Sequence, residues 1–188
     1  PEYLVVRFAV QRIGAVFVTC SSLYVDDEIR YQLEASGAVL AVTDVASAAR
    51  MRAIAATLDS VREVLLLEPG RMDASRVGVN GWLSSQSDTL SLPFPDVDAL
   101  SMLMYTSGTT ARPKGVMFTH GNEMFSSLGI AHAFAYTRFE RLLHYFPLYH
   151  INGGLALLGP LILRGATMAM APKFSASNFS KTLVEERI

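Results

Sequence analysis

Apolar and polar positions along this chain fall into alternating helix-length and strand-length segments. Residues 2–13 place Leu4, Val5, Phe8, Ala9 and Ile13 on one stripe with Arg7 and Gln11 opposite, which predicts a helix with that stripe turned to a core. Gly14 leads into Ala15-Val16-Phe17-Val18, a short apolar run suited to a buried strand. Asp26 and Asp27 open a second helix on which Ile29, Leu33 and Ser36 share a face, and Gly37 suits the position just past its end. Residues 38–43 read as the next strand. Asp44 then caps a helix to about residue 58, with Ala48, Met51, Ile54 and Ala55 at helical spacing, and residues 61–67 form a third strand. Strand, helix, strand, helix, strand with short links is the pattern of a parallel sheet with flanking helices.

Between residues 69 and 98 the composition shifts to Gly, Ser, Asp and Pro, with Pro69-Gly70 and Leu92-Pro93-Phe94-Pro95 as punctuation. The expectation is a surface connector joining a first α/β segment, 1–68, to a second, 99–188, with Trp82 anchoring it to the body. After it the alternation resumes. Residues 100–105 read as a strand. Residues 120–136 form a helix through Met124, Leu128, His132 and Ala135, and residues 141–146 a strand. Residues 152–163 form an apolar helix, 166–171 a strand and 175–187 a closing amphipathic helix. The fold class is α/β with mostly parallel strands.

Bulk properties narrow the function. The chain has 188 residues, 51% hydrophobic and 18% charged, so much of it belongs in a buried sheet or against a partner. A net charge of −1 with no basic stripe argues against nucleic-acid binding, which requires several phosphates to be neutralised. The single cysteine, Cys20, excludes an internal disulfide and fits a reducing compartment, with the cytoplasm as the expected location. The four histidines show no metal-ligand spacing. No apolar run reaches the roughly 20 residues that cross a bilayer. The start, Pro-Glu-Tyr-Leu-Val-Val-Arg, has no initiator Met and no basic-then-apolar leader; it reads as the middle of a helix in a longer protein.

Chemistry concentrates in residues 100–122. The apolar run Leu100-Ser101-Met102-Leu103-Met104-Tyr105 empties into Thr106-Ser107-Gly108-Thr109-Thr110, then Ala111-Arg112-Pro113-Lys114-Gly115 and a second apolar run. A strand that ends in such a loop offers a polyphosphate free backbone N–H groups and short hydroxyl donors. Gly108 permits a path that a Cβ would block, and Lys114 adds a positive charge. The spacing differs from the Gly-x-x-x-x-Gly-Lys-Ser/Thr loop. Pro113 stands where its second Gly belongs and Gly115 where its Mg²⁺-binding hydroxyl belongs, which disfavours a P-loop NTPase.

The run from Tyr105 to Val116 resembles the signature phosphate loop of the adenylate-forming superfamily, which includes acyl-CoA synthetases, luciferases and peptide-synthetase adenylation domains. It departs from the family at Ala111, where Gly or Ser is usual. Phe146-Pro147-Leu148-Tyr149-His150-Ile151-Asn152-Gly153-Gly154 is similar to the segment that acyl-CoA synthetases place beside the acyl pocket. Ile13 to Val16, Leu23-Tyr24, Glu28 with Tyr31-Gln32-Leu33, and Ser36-Gly37-Ala38 also read like the corresponding family region.

The resemblance implies an incomplete piece of the large N-terminal domain of the adenylate-forming fold. It implies ATP phosphates on Thr106, Ser107, Gly108, Thr109, Thr110 and Lys114, Mg²⁺ arriving with the ATP, and His150 lining a substrate pocket. A carboxylic acid and coenzyme A would be the other substrates. The family's Tyr-Gly-x-Thr-Glu and Thr-Gly-Asp stretches, its hinge and its C-terminal lysine are not found in these residues, so no complete catalytic set is expected. The expectation is the N-terminal portion of a carboxylate:CoA ligase, inactive alone and partnered by the missing C-terminal part. Two alternatives remain: a truncated non-catalytic binding module, and an adenylation domain that loads a carrier protein. The identity of the acid is open.

Overall fold

Helix ends in this chain are written in side-chain chemistry. The computed structural model describes residues 2–67, 87, 89–106, 112–171 and 173–188. Helix α1 spans Glu2–Arg12, α2 Asp26–Ser36, α3 Ala48–Ala55, α4 His120–Ala133, α5 Leu158–Arg164 and α6 Phe179–Glu185. The strands are β1 Phe17–Val18, β2 Leu40–Asp44, β3 Glu63–Leu67, β4 Leu100–Thr106, β5 Lys114–Thr119, β6 Arg141–His144 and β7 Thr167–Met170. The carboxylate of Glu28 accepts from the Val25 N–H at 2.9 Å, and Asp26, Asp27 and Glu28 place negative charge against the positive end of α2. Gly37 ends that helix at φ 61°, where a left-handed residue lets the last carbonyls be satisfied. Thr119 and Asn122 exchange side-chain and backbone bonds at the start of α4, Thr119 Oγ1 accepting from the Asn122 N–H at 3.1 Å and Asn122 Oδ1 from the Thr119 N–H at 3.2 Å.

The chain divides into two compact units, residues 1–95 with 101–116, and residues 96–100 with 117–188. In the first, the strand order β1-β4-β5 puts β4 in the middle, with β1 parallel to it and Phe17 opposite Met102. Strands β2 and β3 form a separate parallel pair from Leu40 opposite Glu63 to Asp44 opposite Leu67. The core collects Ile29, Ala41, Ile54, Met102 and Met104. In the second unit β6 and β7 run parallel, and Ala131, Leu155, Leu158 and Leu161 are buried. This is the expected mixed α/β architecture, with its strands in three small sheets among the described residues.

Several expectations change in detail. The strand expected at 15–18 keeps only Phe17 and Val18. The helix expected at 152–163 divides into a π-helical turn, Asn152–Leu157, followed by α5. Two helices bury a different row from the predicted one, opposite to it in α1 and beside it in α4. In α1 the buried residues are Arg7 and Gln11, while Val5, Phe8 and Ile13 are exposed. Tyr3, one turn before Arg7, packs edge-on against Phe17 at 5.4 Å and draws that row inward. In α4 the buried row is Ser127 and Ala131, with Met124 and Leu128 exposed. The connector expected at 69–98 lies largely outside the described residues, as does Trp82. No helix among the described residues is long and apolar enough to cross a membrane.

Candidate functional site

Strand β4 is gripped along its length before it delivers its last residues. Ser101 and Met102 are fully buried, Met104 is nearly so, and the Thr19 N–H donates to the Leu103 carbonyl at 3.2 Å. Tyr105 follows, half-buried, and Thr106 ends the strand exposed. The chain returns at Arg112, Pro113 and Lys114, where β5 begins. Ser107, Gly108, Thr109, Thr110 and Ala111 lie outside the described residues.

The two ends of this connection meet. A Cβ on Gly115 would stand 3.2 Å from Cζ of Tyr105, so the β5 backbone passes against the face of that ring, where glycine leaves the room. On the other side Tyr105 meets Tyr31 of α2 edge-on, centroids 6.3 Å apart. The Tyr31 hydroxyl donates to the Pro113 carbonyl at 3.0 Å, and the Arg112 guanidinium lies 5.5 Å from the Tyr31 ring centre. Burial, with Tyr31 adding to it, raises the Tyr105 phenol above its usual range, so the ring stays neutral at ordinary pH. Lys114 is exposed and has no carboxylate partner among the described residues. The arrangement presents Lys114 and Arg112, neither with a carboxylate partner among the described residues, and the Thr106 hydroxyl at the end of a buried strand, which suits an anionic ligand.

His150 belongs to the second unit. It is exposed; its backbone N–H donates to the Pro147 carbonyl at 3.1 Å, its carbonyl accepts from Gly154 at 2.8 Å, and its Nδ1 accepts from the Asn152 N–H at 3.3 Å. A side chain on Gly153 would collide with the Pro147 carbonyl, so glycine is required where the π-helical turn folds back on this segment. His144, by contrast, is 2% exposed with neither ring nitrogen hydrogen-bonded to a described residue, and burial lowers its pKa against an opposing pull from the Phe146 backbone. A cavity of about 310 Å³ lined by Tyr145, Lys173, Phe174 and Phe179 contains none of the predicted site residues.

Other groups offer little chemistry. Burial pushes the Cys20 thiol up to about 11, with Arg50 opposing and Glu28 adding, so it is no nucleophile at neutral pH. No group of three His, Cys, Asp or Glu side chains among the described residues is placed to hold a metal ion. The sequence places Tyr31 in a family-like stretch and gives it no role in the site. Its position 82 residues before Pro113 gives no local signal, and only the three-dimensional contact exposes it.

The AMP-binding enzyme family matches residues 1–188. The mitochondrial malonate–CoA ligase ACSF3 of Bos taurus is 48% identical over 80 residues, 42% of this chain and 14% of its own length. A feruloyl-CoA synthase of an Amycolatopsis species is 30% identical across 100% of this chain and 35% of its own. Among solved structures, ATP-bound MatB from Rhodopseudomonas palustris superimposes with a TM-score of 0.85 at 26% identity, covering 98% of this chain and 36% of that one. The chain thus spans about a third of the length of the relatives it matches end to end. With its α/β fold and the run from Tyr105 to Val116, it belongs to the AMP-binding enzyme family.

Proposed function

We propose that this chain forms the phosphate-binding, N-terminal part of an ATP-dependent carboxylate:CoA ligase. The observation that carries the reading is the convergence of Tyr105 and Gly115, which brings Thr106 and Lys114 to the two ends of one short connection. The relatives named as CoA ligases or synthases support CoA, rather than a carrier protein, as the thiol acceptor.

In the first half-reaction a carboxylate oxygen attacks the α-phosphorus of ATP, the bond to the pyrophosphate oxygen breaks, and an acyl-adenylate forms. In the second the CoA thiolate attacks the acyl carbon and AMP leaves with the electron pair of the broken C–O bond. Thr106, Ser107, Gly108, Thr109 and Thr110 would donate hydrogen bonds to the β- and γ-phosphates, and Lys114 would neutralise charge on the departing pyrophosphate. This work is positioning and electrostatics, with no covalent bond to the protein. His150 would line a substrate pocket, its Nδ1 tied to the Asn152 N–H. Mg²⁺ would enter with the nucleotide, held through the phosphates.

Two measurements test the reading. Tripolyphosphate should bind this chain and bind Lys114→Ala about tenfold more weakly, the loss of one charge-assisted contact worth roughly 1.5 kcal/mol. ATP–pyrophosphate exchange by the 188 residues alone should stay at background. Equal binding by Lys114→Ala would remove the phosphate site, and exchange at the rate of an intact ligase would overturn the inactivity of this portion.

A further inference from the structure

We propose that Tyr31 is a positioning residue for Thr106 and Lys114, fixing the neighbouring Tyr105 and Arg112-Pro113 on helix α2. The proposal rests on the reading of Thr106 and Lys114 as polyphosphate ligands.

Helix α2 is a fixed platform. Glu28 caps its start, Gly37 closes its end, and Ile29 and Gln32, either side of Tyr31 in the sequence, are 4% and 2% exposed. Tyr31 projects from this platform to three described residues that flank the connection. Its ring meets Tyr105, the penultimate residue of β4, and carries the Arg112 guanidinium near its face; its hydroxyl bonds to Pro113.

The bond to Pro113 has a directional consequence. Proline has no N–H, so its carbonyl is the one hydrogen-bonding group this residue offers, and its ring fixes φ. The carbonyl shares a planar peptide unit with the Lys114 N–H, and the described peptide bonds are all trans. Holding the carbonyl toward Tyr31 therefore turns the Lys114 N–H to the opposite side, away from α2, and sets the starting direction of the lysine side chain. On the β4 side the Tyr105 ring is confined between Tyr31 and the Gly115 backbone, which holds the end of β4 where it presents Thr106. One tyrosine thus sets both the last residue before the connection and the lysine after it.

The test measures tripolyphosphate binding by calorimetry for the chain as it stands, Lys114→Ala, Tyr31→Phe and Tyr31→Leu, with thermal unfolding of each. Tyr31→Phe keeps the ring contact and deletes only the hydroxyl. The expected result is binding about fivefold weaker for Tyr31→Phe, with a melting midpoint lowered by no more than the few degrees that one neutral hydrogen bond is worth, and weaker still for Tyr31→Leu. Hydrogen exchange at the Lys114 amide should speed up in Tyr31→Phe, a change that loss of general stability would not confine to this site. If Lys114→Ala weakens binding while Tyr31→Phe binds as the unaltered chain does, the positioning role fails and the phosphate site stands. If Tyr31→Phe lowers the melting midpoint and leaves binding intact, the tyrosine is structural only and the proposal is overturned. If the unaltered chain binds no tripolyphosphate, the phosphate-site reading fails and takes the proposal with it.

Discussion

Helices α2 and α4 end in the same geometry with different residues. Past α2, Gly37 at φ 61° donates to the Glu34 carbonyl and Ala38 donates to that of Leu33; past α4, Ala135 at φ 52° donates to His132 and Tyr136 to Ala131. The left-handed conformation costs a Cβ-bearing residue roughly 1 kcal/mol, and glycine avoids that cost. Nothing lies within 4 Å of a Cβ placed on Gly37, so conformation alone sets the penalty there. Gly37→Ala should lower stability by about 1 kcal/mol, and Ala135→Gly should raise it by about 0.5–1 kcal/mol, the smaller figure reflecting the entropy that glycine loses on folding. Urea unfolding of the two variants decides the matter, and an Ala135→Gly that unfolds earlier would refute the argument. The sequence pattern placed Ala135 on the face of the helix. Ala is so good a helix former that it hides a helix end, whereas Gly37 announces one.

At the scale of elements, the facing of α4 follows from how closely α5 approaches it. A Cβ on Gly159 would collide with the Ser127 hydroxyl, so the two helices meet where both are small. Small residues, rather than the larger Met124 and Leu128, mark the contact because they let the backbones come close. Helix α4 carries apolar residues on more than one side, Met124, Phe125 and Leu128 outward and Ala131 inward, so periodicity carries no information on which side a neighbour of that shape will take. The π-helical turn ahead of α5 was equally hidden, since its cause is the tight fold-back of Gly153 on Pro147 and a run of apolar residues reads as one helix. At the end of β6, the buried His144 gives a pH effect of definite sign. Its folded pKa lies below the ordinary value near 6.5, so below that pH the unfolded chain binds more protons than the folded one. The contribution is complete above pH 6.5 and is lost as pH falls toward and through the folded pKa, at most about 1.4 kcal/mol per pH unit for one proton. Thermal unfolding between pH 8 and 5 should show a steeper acid loss for the unaltered chain than for His144→Gln. Parallel curves would mean that the imidazole takes up its proton inside the fold.

For the molecule as a whole, what the sequence made legible was whatever depends on local chemistry. Strand and helix order apart from β5, the end of α2 and the phosphate-loop run are written in short stretches, while the exposure of apolar rows depends on contacts that no short stretch encodes. Those rows have a consequence in solution. Phe125 is 80% exposed, Phe134 68% and Phe139 76%, alongside Met124 and Leu128, on a chain whose net charge is only −1. Exposed apolar surface with little net charge to oppose it favours association between copies. The 188 residues in isolation should therefore bind a hydrophobic dye such as ANS and self-associate as concentration rises. Phe125→Glu combined with Leu128→Lys should reduce both effects and leave the melting midpoint unchanged. Met102→Ala supplies the contrast, because Met102 is fully buried and its truncation should cost about 2–5 kcal/mol. If the paired surface substitution destabilised the fold as much as Met102→Ala, the outward row of α4 would be packed in solution, and the exposure of Phe125 and Leu128 would be wrong.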